Sequence, residues 1–102
     1  MIGGDTSKPL CIFCPDPEYS EEARKAKFQG IVVLWAIVDE EGRVRDVRFQ
    51  KIVDENDVQK KETFGLDEEA IRAVQNWRFR PSERFGKPVP VYMVVNVNFR
   101  LY

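Results

Sequence analysis

The sequence predicts an α+β fold of two layers, a three-stranded antiparallel sheet with two helices packed on one face. Three observations predict it. Val91, Met93, Val95, Val97, Phe99 and Leu101 are apolar while Asn96, Asn98 and Arg100 fill the alternate phase, the period of a long strand with one buried face. Ile31 to Val38 is an unbroken apolar run followed by the turn cluster Asp39-Glu40-Glu41-Gly42 and a further strand-forming stretch, Arg43 to Val53, which together read as a β-hairpin. Leu66, Ala70, Val74 and Trp77 recur at helical spacing and need a sheet to cover.

Along the chain, residues 1–14 read as a linker that runs into a short extended piece at Leu10 to Phe13, and residues 15–102 as one domain. Pro15 and Pro17 impose extended or turn geometry, after which Ser20 is placed to N-cap a helix, Glu21 to Gln29, with Glu21 and Glu22 at its positive end and Gly30 as its left-handed terminator. In the second hairpin strand Val47 and Phe49 alternate with Arg48 and Gln50, but Val44 lies in the opposite phase, which places a bulge near Arg45 and Asp46. Asp54 to Phe64 is polar and aperiodic, the pattern of an exposed loop. Asp67 then reads as the N-cap of the second helix, which Pro81 stops around Trp77 to Phe79, with Trp77 as a main core anchor. Arg84-Phe85-Gly86-Lys87-Pro88 is a turn into the last strand.

Composition narrows the function. The chain has 102 residues, 43% hydrophobic and 32% charged, with a formal net charge of -1, so it has the apolar content for one modest core and lacks the basic excess on which nucleic-acid binding depends. No histidine occurs, which removes Ser-His-Asp and Cys-His machinery, the common zinc enzymes and pH switching near neutrality. Tandem acids fall at helix starts and in a turn, where they serve as structural charges, so no catalytic residue, cofactor or metal is expected. No stretch has the length of a membrane span, and Met1 to Asp5 lacks the pattern of a signal peptide. Cys11 and Cys14 precede Pro15-Asp16-Pro17 and not a helix; a local disulfide or inert thiols, an interchain link or metal shared between chains, and a redox pair all remain open.

The strings Pro17-Glu18-Tyr19-Ser20-Glu21-Glu22-Ala23-Arg24-Lys25-Ala26, Gly30-Ile31-Val32-Val33-Leu34, Asp39 to Val44, Leu66-Asp67-Glu68-Glu69-Ala70, Trp77-Arg78-Phe79-Arg80-Pro81 and Gly86-Lys87-Pro88-Val89 occur in that order. Over Pro15 to Tyr102 the chain thereby resembles the TonB C-terminal domain family. The resemblance implies a periplasmic, non-catalytic domain held to the inner membrane by an N-terminal anchor, which links an inner-membrane proton-motive complex to TonB-dependent outer-membrane transporters by pairing with their TonB-box segment. It implies that the last strand lies at the sheet edge beside the first, with Val91, Met93, Val94, Val95, Asn96, Val97, Asn98 and Phe99 as the pairing edge and Glu18 and Tyr19 as side-chain contacts. The family's Gln-Tyr-Pro motif aligns with Glu18-Tyr19-Ser20, of which tyrosine alone matches. The resemblance also turns Val32, Leu34, Ala36 and Val38 toward the helices. The opposite face, Ile31, Val33, Trp35 and Ile37, is then unusually apolar, covered either by the N-terminal segment or by another chain, a second copy included. The same domain closing a different membrane-anchored sensor or signalling protein is the alternative.

Overall fold

A computed structural model describes residues 5–101; Met1 to Gly4 of the expected linker, and Tyr102, lie outside the described residues. The chain forms β1 (Leu10–Phe13), α1 (Glu21–Lys25), β2 (Gly30–Val38), β3 (Val44–Asp54), β4 (Gln59–Lys60), α2 (Leu66–Gln75), β5 (Arg78–Arg80), β6 (Ser82–Arg84), β7 (Lys87–Val89) and β8 (Val91–Phe99). The main sheet is antiparallel and has four strands in the order β4-β3-β2-β8, one more than the sequence predicts. The extra strand arises inside the stretch read as a loop. Asp54 Oδ1 accepts the N–H groups of Asn56 (2.9 Å) and Val58 (3.0 Å), and this local turn folds Gln59 and Lys60 back onto Val53 and Ile52. Two further two-stranded ladders, β1-β5 and β6-β7, flank the sheet.

Both helices lie on the face toward which β2 turns its even residues. Val32, Leu34, Ala36 and Val38 are buried to 1% exposure or less against Leu66, Ala70 and Val74 of α2 and Ala23 of α1, the facing that the family resemblance implies. Val95, Val97 and Phe99 of β8 and Ile52 of β3 complete this core. On β3 the expected bulge is present where Trp35 pairs with Arg48 but Ile37 with Arg45, and Asp46 within it has φ 52°. A second register shift, between Val33 and Leu34 of β2, skips Gln50, and Phe49 is left 39% exposed outside the core.

Helix boundaries differ from expectation for local reasons. The first helix spans Glu21–Lys25 and not Glu21 to Gln29. Ser20 caps it as expected, its Oγ accepting the Ala23 N–H at 3.1 Å. Lys27, and not Gly30, takes the left-handed conformation (φ 54°). Phe28 N–H then donates to Ala23 O (3.0 Å) and Lys27 N–H to Arg24 O (3.1 Å), the closing bonds of a Schellman end whose apolar contact is the buried Phe28. Gly30 instead opens β2, where a Cβ would stand 2.1 Å from Val53 O.

The second helix is capped by Gly65 (φ 76°) and not by Asp67, whose Oδ1 accepts the Thr63 hydroxyl at 2.9 Å within the first turn. It ends at Gln75 with Asn76 as C-cap. Pro81 excludes helix at Arg80, and β1 recruits Arg78–Arg80 as a partner strand, so the residues after Trp77 are extended. Trp77 is therefore not a main core anchor. It is half-buried at the rim with its indole N–H donating to Pro15 O at 2.9 Å, while the neighbouring Phe79, 7% exposed, fills the core.

The turn between β2 and β3 is built on Asp39, 5% exposed. Its Oδ1 accepts the N–H groups of Glu41 and Arg43 (both 2.9 Å), and its Oδ2 pairs with Arg45 Nε at 2.6 Å. Burial pushes the Asp39 carboxyl up, but the Arg45 side chain and the two backbone donors outweigh it and hold the carboxyl below the ordinary aspartate range. A carboxyl lowered in the folded state contributes stability above the unfolded value, about pH 4, and that contribution is lost as pH falls through the lowered folded value. Urea midpoints of wild type and Asp39→Asn should thus differ most at neutral pH and converge in acid. A gap that stays constant with pH would assign the role of Asp39 to shape and not to charge.

Candidate partner-binding edge

β8, the strand with the period-2 pattern, lies at one end of the main sheet, with β2 as its sole strand neighbour among the described residues. The pairing runs without a register shift from Gly30 opposite Phe99 to Val38 opposite Val91. Two turn hydrogen bonds fix which backbone groups remain free. Asp39 N–H donates to Arg43 O, so the odd residues of β2 direct their N–H and C=O toward β3. Asp54 N–H donates to Val58 O, away from β2, so Gly30 opposite it directs its groups toward β8, in agreement. The even residues of β2 hence bond Val91, Met93, Val95, Val97 and Phe99. Tyr92, Val94, Asn96 and Asn98 point their N–H and C=O groups outward from the sheet edge.

Side chains sort the same way. Val91, Val95, Val97 and Phe99 are 2–6% exposed and packed in the core, and Met93 is partly buried against it. Tyr92 (63% exposed), Val94 (45%), Asn96 and Asn98 stand on the opposite face of the sheet. Of the residues the sequence singled out, Val94, Asn96 and Asn98 offer a partner both backbone groups and side chains. The odd residues hold the strand in place. Tyr92, absent from the sequence-derived set, belongs with the even residues, and extending the alternation of Asn96 and Asn98 two steps back would have found it.

One end of the edge is closed by Tyr19. Its ring meets the Phe99 ring edge-on with centroids 5.6 Å apart, and its hydroxyl donates to Phe28 O. Burial pushes the phenol above the ordinary tyrosine range, so it stays a neutral donor. Asp16, Pro17 and Tyr19 share an open cleft with Asn98, Phe99 and Arg100. Glu18 is exposed beside Tyr19. Toward the other end, Lys8 and Pro9 share a depression with Tyr92, Met93 and Val94. The N-terminal segment thus reaches the rim of the apolar face but leaves Trp35 40% exposed; its own pairing is with β5 and β6. Cys11 and Cys14 form a disulfide with each other, on β1 and just after it, in the ladder that β1 makes with β5.

These features define a small two-layer domain with an antiparallel edge that is unpaired among the described residues and an aromatic side chain at its end. Residues 15–101 match the family described as Gram-negative bacterial TonB protein C-terminal, and the chain belongs to that family. It is similar to the protein tonB2 of Pseudomonas aeruginosa, with 29% identity over 87 residues that cover 85% of this chain and 29% of that protein. The chain thus spans less than a third of the length of this relative. In fold it is similar to the solution NMR structure of the Pseudomonas aeruginosa TonB CTD, with a TM-score of 0.64 and 22% identity over 97% of this chain and 89% of that one.

Proposed function

We propose that this domain binds an extended segment of a TonB-dependent outer-membrane transporter, the TonB box, as an added strand on β8. As part of a longer periplasmic protein anchored in the inner membrane, it thereby passes energy from an inner-membrane proton-motive complex to that transporter. The role is one of grip, with no catalysed reaction. One observation carries the proposal: the outward row of N–H and C=O groups on Tyr92, Val94, Asn96 and Asn98. Such a row gives affinity through main-chain bonds to almost any extended sequence, while the side chains beside it select. Family membership supports the choice of partner.

Proline tests the edge directly. Asn96→Pro removes an outward donor and leaves the bonds to β2 in place, because the groups of Asn96 do not face that strand. Titration of the wild-type domain with a TonB-box peptide from the same organism should shift the amides of Tyr92, Val94, Asn96 and Asn98, and the variant should bind about tenfold more weakly or worse, the scale of one or two lost hydrogen bonds. Shifts confined to the hairpin of β2 and β3 would overturn the strand-addition reading.

A further inference from the structure

We infer that the tip of the β6-β7 hairpin is a contact for anionic lipid headgroups, with Phe85 as the inserting side chain. The tip is Arg84-Phe85-Gly86-Lys87, in which Arg84 pairs with Lys87 and the two residues between them turn with φ 53° and 79°. Positive φ at both positions defines a type I′ turn, whose first position favours Asn, Asp or Gly because a bulky side chain there crowds the backbone. Phenylalanine breaks that rule. It is also 75% exposed, the most exposed of the large apolar side chains among the described residues. Neither turn chemistry nor packing accounts for the ring, and a residue that violates both local preferences marks a site where exposure itself is used.

The surroundings specify the chemistry. Arg84 holds its guanidinium 5.6 Å from the centre of the Phe85 ring, and Lys87 pairs with Arg84 across the turn, so the exposed ring is carried on a tip that also bears two cationic residues. The hairpin is braced from the N-terminal side: Ser7 N–H donates to Glu83 O at 2.9 Å, Glu83 N–H donates to Ser7 Oγ at 3.0 Å, and Thr6 bridges to Arg84. The ring is thus presented on a held ladder and not on a loose loop.

A convex tip of this kind suits a bilayer better than a protein. One phenylalanine ring contributes roughly 150–250 Å² of contact, whereas a specific protein interface needs about 1,000 Å² in total. A fluid bilayer imposes no shape requirement: it closes around the ring at the acyl boundary while the flanking cations meet headgroup phosphates. Attraction by one ring and two cations is weak and reversible. On the proposed function above, on which this point rests, it orients a domain held near a membrane by another segment and does not itself anchor it.

The experiment mixes the domain with millimolar vesicles, either equimolar phosphatidylglycerol and phosphatidylcholine or pure phosphatidylcholine, and measures the bound fraction by flotation. The decisive variant is Phe85→Asn, which removes the ring and restores a favoured turn residue, so the fold should be as stable as wild type or more so. Wild type should float with the anionic vesicles, and binding should fall about tenfold both for Phe85→Asn and on pure phosphatidylcholine, the scale of burying much of one ring. Asn96→Pro should float like wild type, which separates this surface from the β8 edge. Equal flotation of wild type and Phe85→Asn, no flotation of wild type, or equal binding to both vesicle types would each overturn the inference. Unchanged flotation of Phe85→Asn together with weaker capture of an intact transporter would assign the tip to a protein pocket instead.

Discussion

Replacing Phe99 with alanine should lower stability by about 3–5 kcal/mol, the range for large buried aromatic side chains. Phe99 is 2% exposed, is the largest of the fully buried residues, and closes β8 opposite Gly30. Its removal costs the transfer energy of the ring and leaves a cavity that neighbours only partly fill, because the β2-β8 ladder holds its register up to this last pair. The loss reaches the binding edge as well. Tyr19 rests its ring on Phe99, so the alanine variant should loosen Tyr19 and weaken peptide binding even at temperatures where it remains folded. Urea denaturation read by tryptophan fluorescence gives the first quantity, and peptide titration the second. Phe99→Leu, which keeps most of the volume, should recover the larger part of the stability but not the edge-on contact. A Phe99→Ala midpoint within about 1 kcal/mol of wild type would show that the end of β8 is not part of the cooperative core.

Gly42→Ala should cost about 2–5 kcal/mol although it adds one carbon. Gly42 sits at φ 82°, where a Cβ carries a penalty of about 1–2 kcal/mol. That Cβ would also stand 1.8 Å from the carbonyl oxygen of Phe79, and relieving such a clash in a packed region costs about 1–3 kcal/mol more. The contact is a junction: Phe79 N–H donates to Gly42 O at 2.9 Å, and Arg43 bridges to Arg78, so the tip of the β2-β3 hairpin is docked on β5. Pushing the two apart should expose Phe79 and release the β1-β5 ladder. Hydrogen exchange should therefore quicken in Arg78–Arg80 and Leu10–Phe13 more than at the far end of the main sheet, near Gly30 and Phe99. Uniform acceleration across the sheet would mean that the junction is not a separate unit.

The long strands were legible because their signals are periodic and buried. Val91 to Phe99 alternates so regularly that only one register keeps Val91, Val95, Val97 and Phe99 in the core, whereas β2 is apolar throughout and the inward face of its even residues came from the family resemblance. The bulge at Asp46 was legible because Val44 breaks the phase of Val47. The short elements were not. β4 has two exposed residues and rests on an Asx turn at Asp54, and β5 exists because β1 comes alongside from more than sixty residues away. Helix ends moved for a related reason: Lys27 adopts the left-handed conformation because the contact of Phe28 with the core repays its strain, and a neighbour-by-neighbour reading assigns that role to Gly30.

For the binding edge the division is similar. The sequence by itself determined that the last strand has one buried face, that no histidine-based chemistry is available, and that Tyr19 lies in the segment leading into the first helix. Only the tertiary structure decided which backbone groups of that strand are free. Outward N–H groups depend on the parity of β2, and that parity is fixed by the hairpin turn at Asp39 and by the turn at Asp54, the end of β3, both outside β8 itself. Tertiary contact also demoted Trp77 to the rim and brought Phe79 into the core. Periodicity reports which side of an element is buried, because burial acts on side chains one at a time. Strand order and the pairing of edges are set by which chain segments meet, and that is a property of the folded chain as a whole.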